Sequence, residues 1–296
     1  MAVQNSLQQA KGNQRLGITA YLSREDVKGQ INKAIGGENS QRFISAIISA
    51  TTTNQMLQEC TNQSILSGAL LGEALKLSPS PQLGHYYLVP FNDKEKGKVA
   101  QFQLGYKGYI QLAIRSGQYK KLNVMAIKQG ELEYFDPLNE DIKINLMIDD
   151  WDAREELPTI GYYAFFELVN GFKKAIYWSK GQMESHALKY SPGYKKDREK
   201  GWSYTFWSKD FDGMAYKTML RQLISKWGIM SIEMQTAFEG DMAVINDDGS
   251  RTYVEVEDNF IDVEAKPETV VESPESSANE TTTDAKSALF GNGGEN

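Results

Sequence analysis

Apolar residues recur along this chain at two alternating periods, and the handovers between them mark the elements. From residue 40 the spacing is helical: Phe43, Ile44, Ile47 and Ile48 make one stripe, and a helix from about Asn62 to Lys76 buries Ile65, Leu66, Ala69, Leu70 and Leu75. The small residues Ser67, Gly68, Ala69 and Gly72 predict close packing of that second helix rather than a ligand site. Ser78-Pro79-Ser80-Pro81 stops it, and Tyr86–Pro90 and Val99–Leu104 read as a hairpin around the cationic turn Lys94–Lys98. A helix from about Gly105 to Ser116 follows, with Tyr106, Tyr109, Ile110 and Ala113 on its buried side; Gly117 ends it and a strand runs from Tyr119 to Lys128. Glu131–Phe135 and Ile142–Ile148 are further strands, and Ile160–Val169 pairs with Phe172–Trp178 across Asn170-Gly171. Ser179 caps a helix to Lys189, and a long helix from about Ser208 to Trp227 packs Tyr216, Met219, Leu220, Leu223, Ile224 and Trp227. The predicted fold class is α+β, a mostly antiparallel sheet packed with helices.

Charge divides the chain more sharply than its overall net of -7 suggests. Up to residue 231 there are 29 Lys and Arg against 23 Asp and Glu; the last 65 residues hold 3 against 16. A mildly basic body therefore precedes an acidic tail. The tail, rich in Glu, Ser, Thr and Asn from Asp258 onward, cannot bury enough apolar surface to fold and is expected to be disordered. Residues 1–37, polar and glycine-bearing with a weak helix around Arg24 to Ile35, are expected to form a mobile arm, 38–240 a core, and 241–296 the acidic tail. No apolar run reaches membrane-spanning length and the N-terminus lacks the apolar centre of a signal peptide, so the expectation is a soluble, cytoplasmic protein with no membrane contact. One cysteine, Cys60, and two distant histidines offer neither a disulfide nor a zinc spacing.

Within the body two stretches concentrate positive charge. On the helix after Gly105, Lys107, Gln111 and Arg115 share one face, and Lys120 and Lys121 stand at the mouth of the next strand. On the long helix, Lys217, Thr218, Arg221, Gln222, Ser225 and Lys226 lie opposite the apolar arc, with no carboxylate between Gly213 and Ser231, where a solvated face would normally mix Glu with Lys. Lys217 and Arg221, one turn apart, could reach adjacent phosphates of a polyanion. Between the two, the segment 190–207 reads as a loop combining Lys195 and Lys196 with Tyr194, Trp202 and Trp207, and Lys209 follows it. Cations on phosphates with bases stacked on aromatic faces are how single strands are held. A plain solvated helix face, or a linker, is the alternative at each place. No catalytic motif was found: there is no phosphate-binding loop and hence no expected ATP, and Asp149, Asp150, Asp152, Glu155 and Glu156 read as an acidic surface rather than a magnesium site.

The segment from Gly84 to Ile127, with its G-H-x-Y-L-x-P-F and L-G-Y-x-G-x-I-x-L-A-x-R-S-G patterns, and the downstream M-A-x-K-T-x-x-R-x-L resemble the RecT/Redβ family of phage single-strand annealing recombinases over roughly residues 40–240. The family motifs fall on Lys107, Gly108, Arg115, Ser116, Lys217, Thr218 and Arg221. The resemblance implies a Rad52-like annealing core, annealing of complementary strands without ATP or any other cofactor, magnesium at most influencing the pairing, and no enzymatic step. It also implies single-stranded DNA and the annealed duplex intermediate as ligands, assembly into a homo-oligomer or filament, and a phage exonuclease and the host single-strand binding protein as partners in the bacterial cytoplasm. Two other readings stay open, a plain single-strand protector and a magnesium-dependent nuclease built on Asp149 and Asp152.

Overall fold

Helices account for the first quarter of the body. In the computed structural model, which describes residues 16–253 apart from 94, 95 and 247, α1 (Ile18–Leu22), α2 (Glu25–Ile35), α3 (Gly37–Thr53) and α4 (Asn62–Ala74) precede the first strand, with a 3₁₀ turn at Gln55–Glu59. The stripes explain the packing: Phe43 and Ile47 of α3 and Ile65, Leu66 and Ala69 of α4 are buried in one apolar cluster. Thr61 caps α4 by accepting the Ser64 N–H. Its small residues let strands approach, since a methyl group added at Gly72 would fall within the ring of Tyr86. Gly72→Ala is therefore expected to destabilise the protein by about 1–3 kcal/mol through overpacking, measured by urea unfolding; an unchanged midpoint would show that Tyr86 has room to withdraw.

Among the described residues all strand pairings are antiparallel, but they form three sheets. β1 (Tyr86–Asp93) and β2 (Gly97–Leu104) make the first hairpin, and β2 continues to β8 (Ala243–Ile245) and β9 (Arg251–Tyr253). Pro90, expected to end β1, lies inside it opposite Ala100; β1 is an edge strand, where the missing N–H costs no ladder bond. After β2, α5 (Tyr106–Ser116) ends at Gly117 in the left-handed conformation (φ 67°) as its position predicts. The second sheet takes β3 (Tyr119–Lys128), β6 (Thr159–Leu168) and β7 (Lys173–Ser179). Between β3 and β6 the chain makes an excursion through the two-stranded β4 (Leu132–Asp136) and β5 (Asp141–Ile144) and a helix the sequence pattern did not reveal, α6 (Trp151–Glu156). Beyond β7 come α7 (Lys180–Tyr190), with a full capping box from Ser179 and Gln182, α8 (Pro192–Lys200), the single turn α9 (Phe206–Lys209), α10 (Phe211–Trp227) and α11 (Ile232–Gly240).

Two apolar clusters result. The first joins α1–α4, β1, β2 and α5; the second lies between β6 and the helices α7–α10, with Tyr162, Ala164 and Phe166 facing Met183, Ala187 and Met219. Helix α10 serves both, giving Leu220 and Ile224 to the first and Ala215, Met219 and Leu223 to the second.

Two expected boundaries are corrected. Residues 16–37 are not a free arm: Ile18, Leu22, Val27 and Ile31 are buried in the first cluster, Tyr21 donates to Gln63 (2.5 Å) and Asn62 donates to the Leu16 carbonyl (2.7 Å). The tail does not begin at 241, because Asp241 is buried and β8 and β9 carry the sheet to Tyr253. Residues 1–15 and the expected disordered stretch from Asp258 lie outside the described residues. No helix among the described residues is long and apolar enough to cross a membrane.

Candidate nucleic-acid interface

The N-terminus of α5 is set by a backbone-to-backbone junction. Gly105 donates to the His85 carbonyl (2.9 Å), and a side chain at Gly108 would collide with that same carbonyl, so only glycine lets α5 lie against the start of β1. This fixes the exposed face of α5, where Lys107, Gln111 and Arg115 all reach solvent as periodicity predicts. Lys107 stands 5.9 Å from the Tyr106 ring. Arg115 is partly committed, since its guanidinium donates to the carbonyls of Leu75 (2.6 Å) and Lys76 (3.3 Å) and so closes the C-terminus of α4. Partial burial, with Arg115 and Lys107 beside it, holds the His85 imidazole below its ordinary value, so this face stays short of a third full charge at neutral pH.

Lys120 and Lys121 are exposed but share one carboxylate, that of Glu167, at 2.7 and 3.6 Å. The hydrogen bond from Lys120 is the main reason the Glu167 carboxyl titrates below its usual range. Strand register, with Lys121 opposite Glu167, brings the three together and leaves the pair one net positive charge.

The polar arc of α10 is not the outward face its sequence suggests. Lys217, Thr218 and Gln222 are buried and Arg221 is largely so. Lys217 Nζ and Arg221 Nη1 each pair with the fully buried Asp241 at 2.9 Å, on opposite carboxylate oxygens. Tyr109 OH (2.8 Å) and the Leu104 N–H (2.9 Å) complete the carboxylate's partners, and Arg221 also donates to Tyr109 OH (3.1 Å). Burial alone would raise the Asp241 carboxyl, but the two cations and the hydrogen bonds hold it below the usual range. Thr218 spends its hydroxyl on the Met214 carbonyl. These residues bolt α5, β2, α10 and the 241 turn together; of the six expected on the polar arc of α10, only Ser225 and Lys226, the latter beside the Trp227 ring, are exposed.

The segment expected as a basic aromatic loop is instead α8, a tight turn and α9. Tyr194 and Trp207 turn inward, 6.0 Å apart, in the second cluster, whereas Trp202 is half exposed. Lys195, Lys196 and Lys209 point into solvent with no carboxylate partner among the described residues. Sequence reasoning missed the link between this segment and α5: Phe206, at the start of α9, meets Tyr87 of β1 at 5.2 Å. Burial, then Asp210 and Tyr106, raise the Tyr87 hydroxyl above its ordinary value, which places Tyr87 between the α9–α10 junction and the N-terminus of α5. Strand alternation held the clue, for with Tyr86 turned into the core Tyr87 must face the other way. Lys107, Tyr87 and Phe206, from three distant stretches of chain, thus come together, and Lys209 ends the single turn that Phe206 begins.

Asp150 caps α6 by accepting the Ala153 N–H, and among the described residues no group of three or more His, Cys, Asp or Glu side chains is placed to share a cation.

The described body is thus α+β, with antiparallel sheets and with exposed lysines and aromatic rings. The RecT family model matches residues 41–259, and the chain belongs to the RecT family. It is 38% identical over 288 residues to the uncharacterized protein YqaK of Bacillus subtilis, covering 95% of this chain and 92% of that one. It is also 27% identical over 228 residues to protein RecT of Escherichia coli, covering 76% and 80% respectively. Membership supports a function in DNA recombination by single-strand annealing.

Proposed function

We propose that the protein anneals complementary DNA strands without ATP and without making or breaking a bond, gripping the first strand along the surface that runs from the outer face of α5 to α9. The observation that supports this reading is the contact between Phe206 and Tyr87, which brings α9, whose last residue is the exposed Lys209, against the strand residue that also lies beside Lys107 at Gly84. Phosphate contacts there would hold the backbone in either single strand or nascent duplex while leaving base edges free to pair. Many copies along one strand, assembled as a homo-oligomer or filament, would keep it extended; an exonuclease that exposes the strand and a single-strand binding protein that occupies it are the partners this chemistry needs, in the cytoplasm of a bacterial cell.

Mixing labelled complementary oligonucleotides with the protein, with and without magnesium and ATP, tests the reading. Accelerated pairing independent of ATP is expected; slowed pairing would make it a protector and shortened strands a nuclease. The surface itself is tested by Lys107→Ala with Lys209→Ala, which should leave thermal unfolding unchanged and flatten the dependence of log affinity on log salt by about 1.4, from roughly 0.7 for each phosphate contact on a single strand. An unaltered slope would move the binding face elsewhere.

A further inference from the structure

Between α8 and α9 the chain turns through residues 201–205, and one buried side chain fixes the turn. Asp197, 3% exposed and in no ion pair among the described residues, accepts four hydrogen bonds on Oδ2: from the N–H groups of Tyr204 (3.0 Å) and Thr205 (2.8 Å) and the hydroxyls of Thr205 (2.8 Å) and Ser208 (2.6 Å). Its own carbonyl accepts the Trp202 N–H (2.9 Å). Burial would raise this carboxyl, but the four donors bring it below its ordinary range. What the turn holds out is aromatic: Trp202 and Tyr204 meet edge to face at 5.5 Å and are 50% and 71% exposed. Lys195, Lys196, Lys200 and Lys209 stand exposed on the flanking helices with no carboxylate partner among the described residues.

Large rings fixed in water on a rigid backbone offer stacking area with little ordering left to lose on binding, and cations around them favour a polyanion over an apolar partner. Resting on the single-strand reading above, we infer that Trp202 and Tyr204 form a stacking platform for the unpaired bases of a bound strand and that Asp197 is the residue that positions it. Tyr194 and Trp207 of the same segment are core, and Phe206 is engaged with Tyr87.

The test compares, in the full chain, affinities for a labelled oligothymidylate and for an abasic sugar-phosphate oligomer of the same length. The wild type should bind the base-bearing strand about tenfold tighter. Trp202→Ala with Tyr204→Ala should bring that ratio near one while leaving abasic affinity unchanged, and Trp202→Phe with Tyr204→Phe should preserve it. Asp197→Asn, checked for an intact thermal transition, should lose the ratio although both rings are present. A ratio that survives the alanine pair, including a variant that changes only assembly size, overturns the platform. A ratio lost with alanine but kept with Asp197→Asn overturns only the positioning role. If the wild type binds neither oligomer, the single-strand reading itself fails.

Discussion

Replacing Asp241 with alanine is expected to lower stability by about 3–5 kcal/mol, because it strands Lys217 and Arg221 in a buried site with no counter-charge. For a body of this size that is roughly a 10 °C fall in the unfolding midpoint. The Leu104 N–H and Tyr109 hydroxyl lose an acceptor at the same time. Asn at 241 should restore shape without charge and recover only part of the loss. The pH dependence has a fixed sign: the folded carboxyl lies below its unfolded value of about 3.8, so its contribution is fully present above pH 4 and is lost as pH falls through the folded value. The gap between wild type and Asp241→Asn in urea unfolding should accordingly narrow only below pH 4. A loss under 1 kcal/mol for the alanine variant would mean that water replaces the carboxylate. The same network recasts Lys217→Ala and Arg221→Ala, whose first effect should be on stability rather than on DNA affinity.

Arg154→Ala is the second large effect. Glu131 is fully buried, and Arg154 holds it through two hydrogen bonds of 2.6 and 2.9 Å while donating to the Ala126 carbonyl (2.8 Å) and lying 4.9 Å from the Trp151 ring. Without the arginine only the N–H groups of Lys128 and Met147 are left for the carboxylate, a loss of about 3 kcal/mol at neutral pH. Burial would raise the Glu131 carboxyl, and in the wild type Arg154 reverses that. Its stabilisation is therefore present above the unfolded value, about 4.5, and lost below it; in the variant burial prevails, the folded value rises above the unfolded one, and stability grows as pH falls. Urea unfolding at pH 7 and pH 4.5 should show the two proteins converging in acid. A constant gap would show that Glu131 stays charged without its partner.

What could be read from the sequence was whatever local periodicity encodes. The outer face of α5, the Asn170-Gly171 hairpin and the cap at Ser179 followed from neighbours within a few residues. The misplacements all involve partners distant in the chain. Lys217 looked outward because Asp241, 24 residues on, sits where composition already turns acidic. Lys120 and Lys121 looked unpaired because Glu167 reaches them only through the β3–β6 register, which no one-residue pattern specifies. Tyr194 and Trp202 look alike as letters; α8 turns one into the core and the following turn holds the other out. The N-terminal helices bury only four residues, too few to stand out from a polar background, although removing them would open the first cluster.

Because α10 supplies side chains to both apolar clusters, neither can come apart while the other stays closed. Its central amides should exchange with deuterium only through global opening, and denaturant should reveal one transition by far-ultraviolet circular dichroism and tryptophan fluorescence alike. The excursion through β4 and β5 contributes to neither cluster: Glu131 and Arg154 hold its root, and Phe135 against the Tyr177 ring and Glu140 paired with Lys174 tie it to β7, while Leu138 near its tip is 88% exposed. Its amides should exchange sooner than those of α10, but opening there must first part Glu140 from Lys174 and Phe135 from Tyr177, so β7 registers any change in its shape.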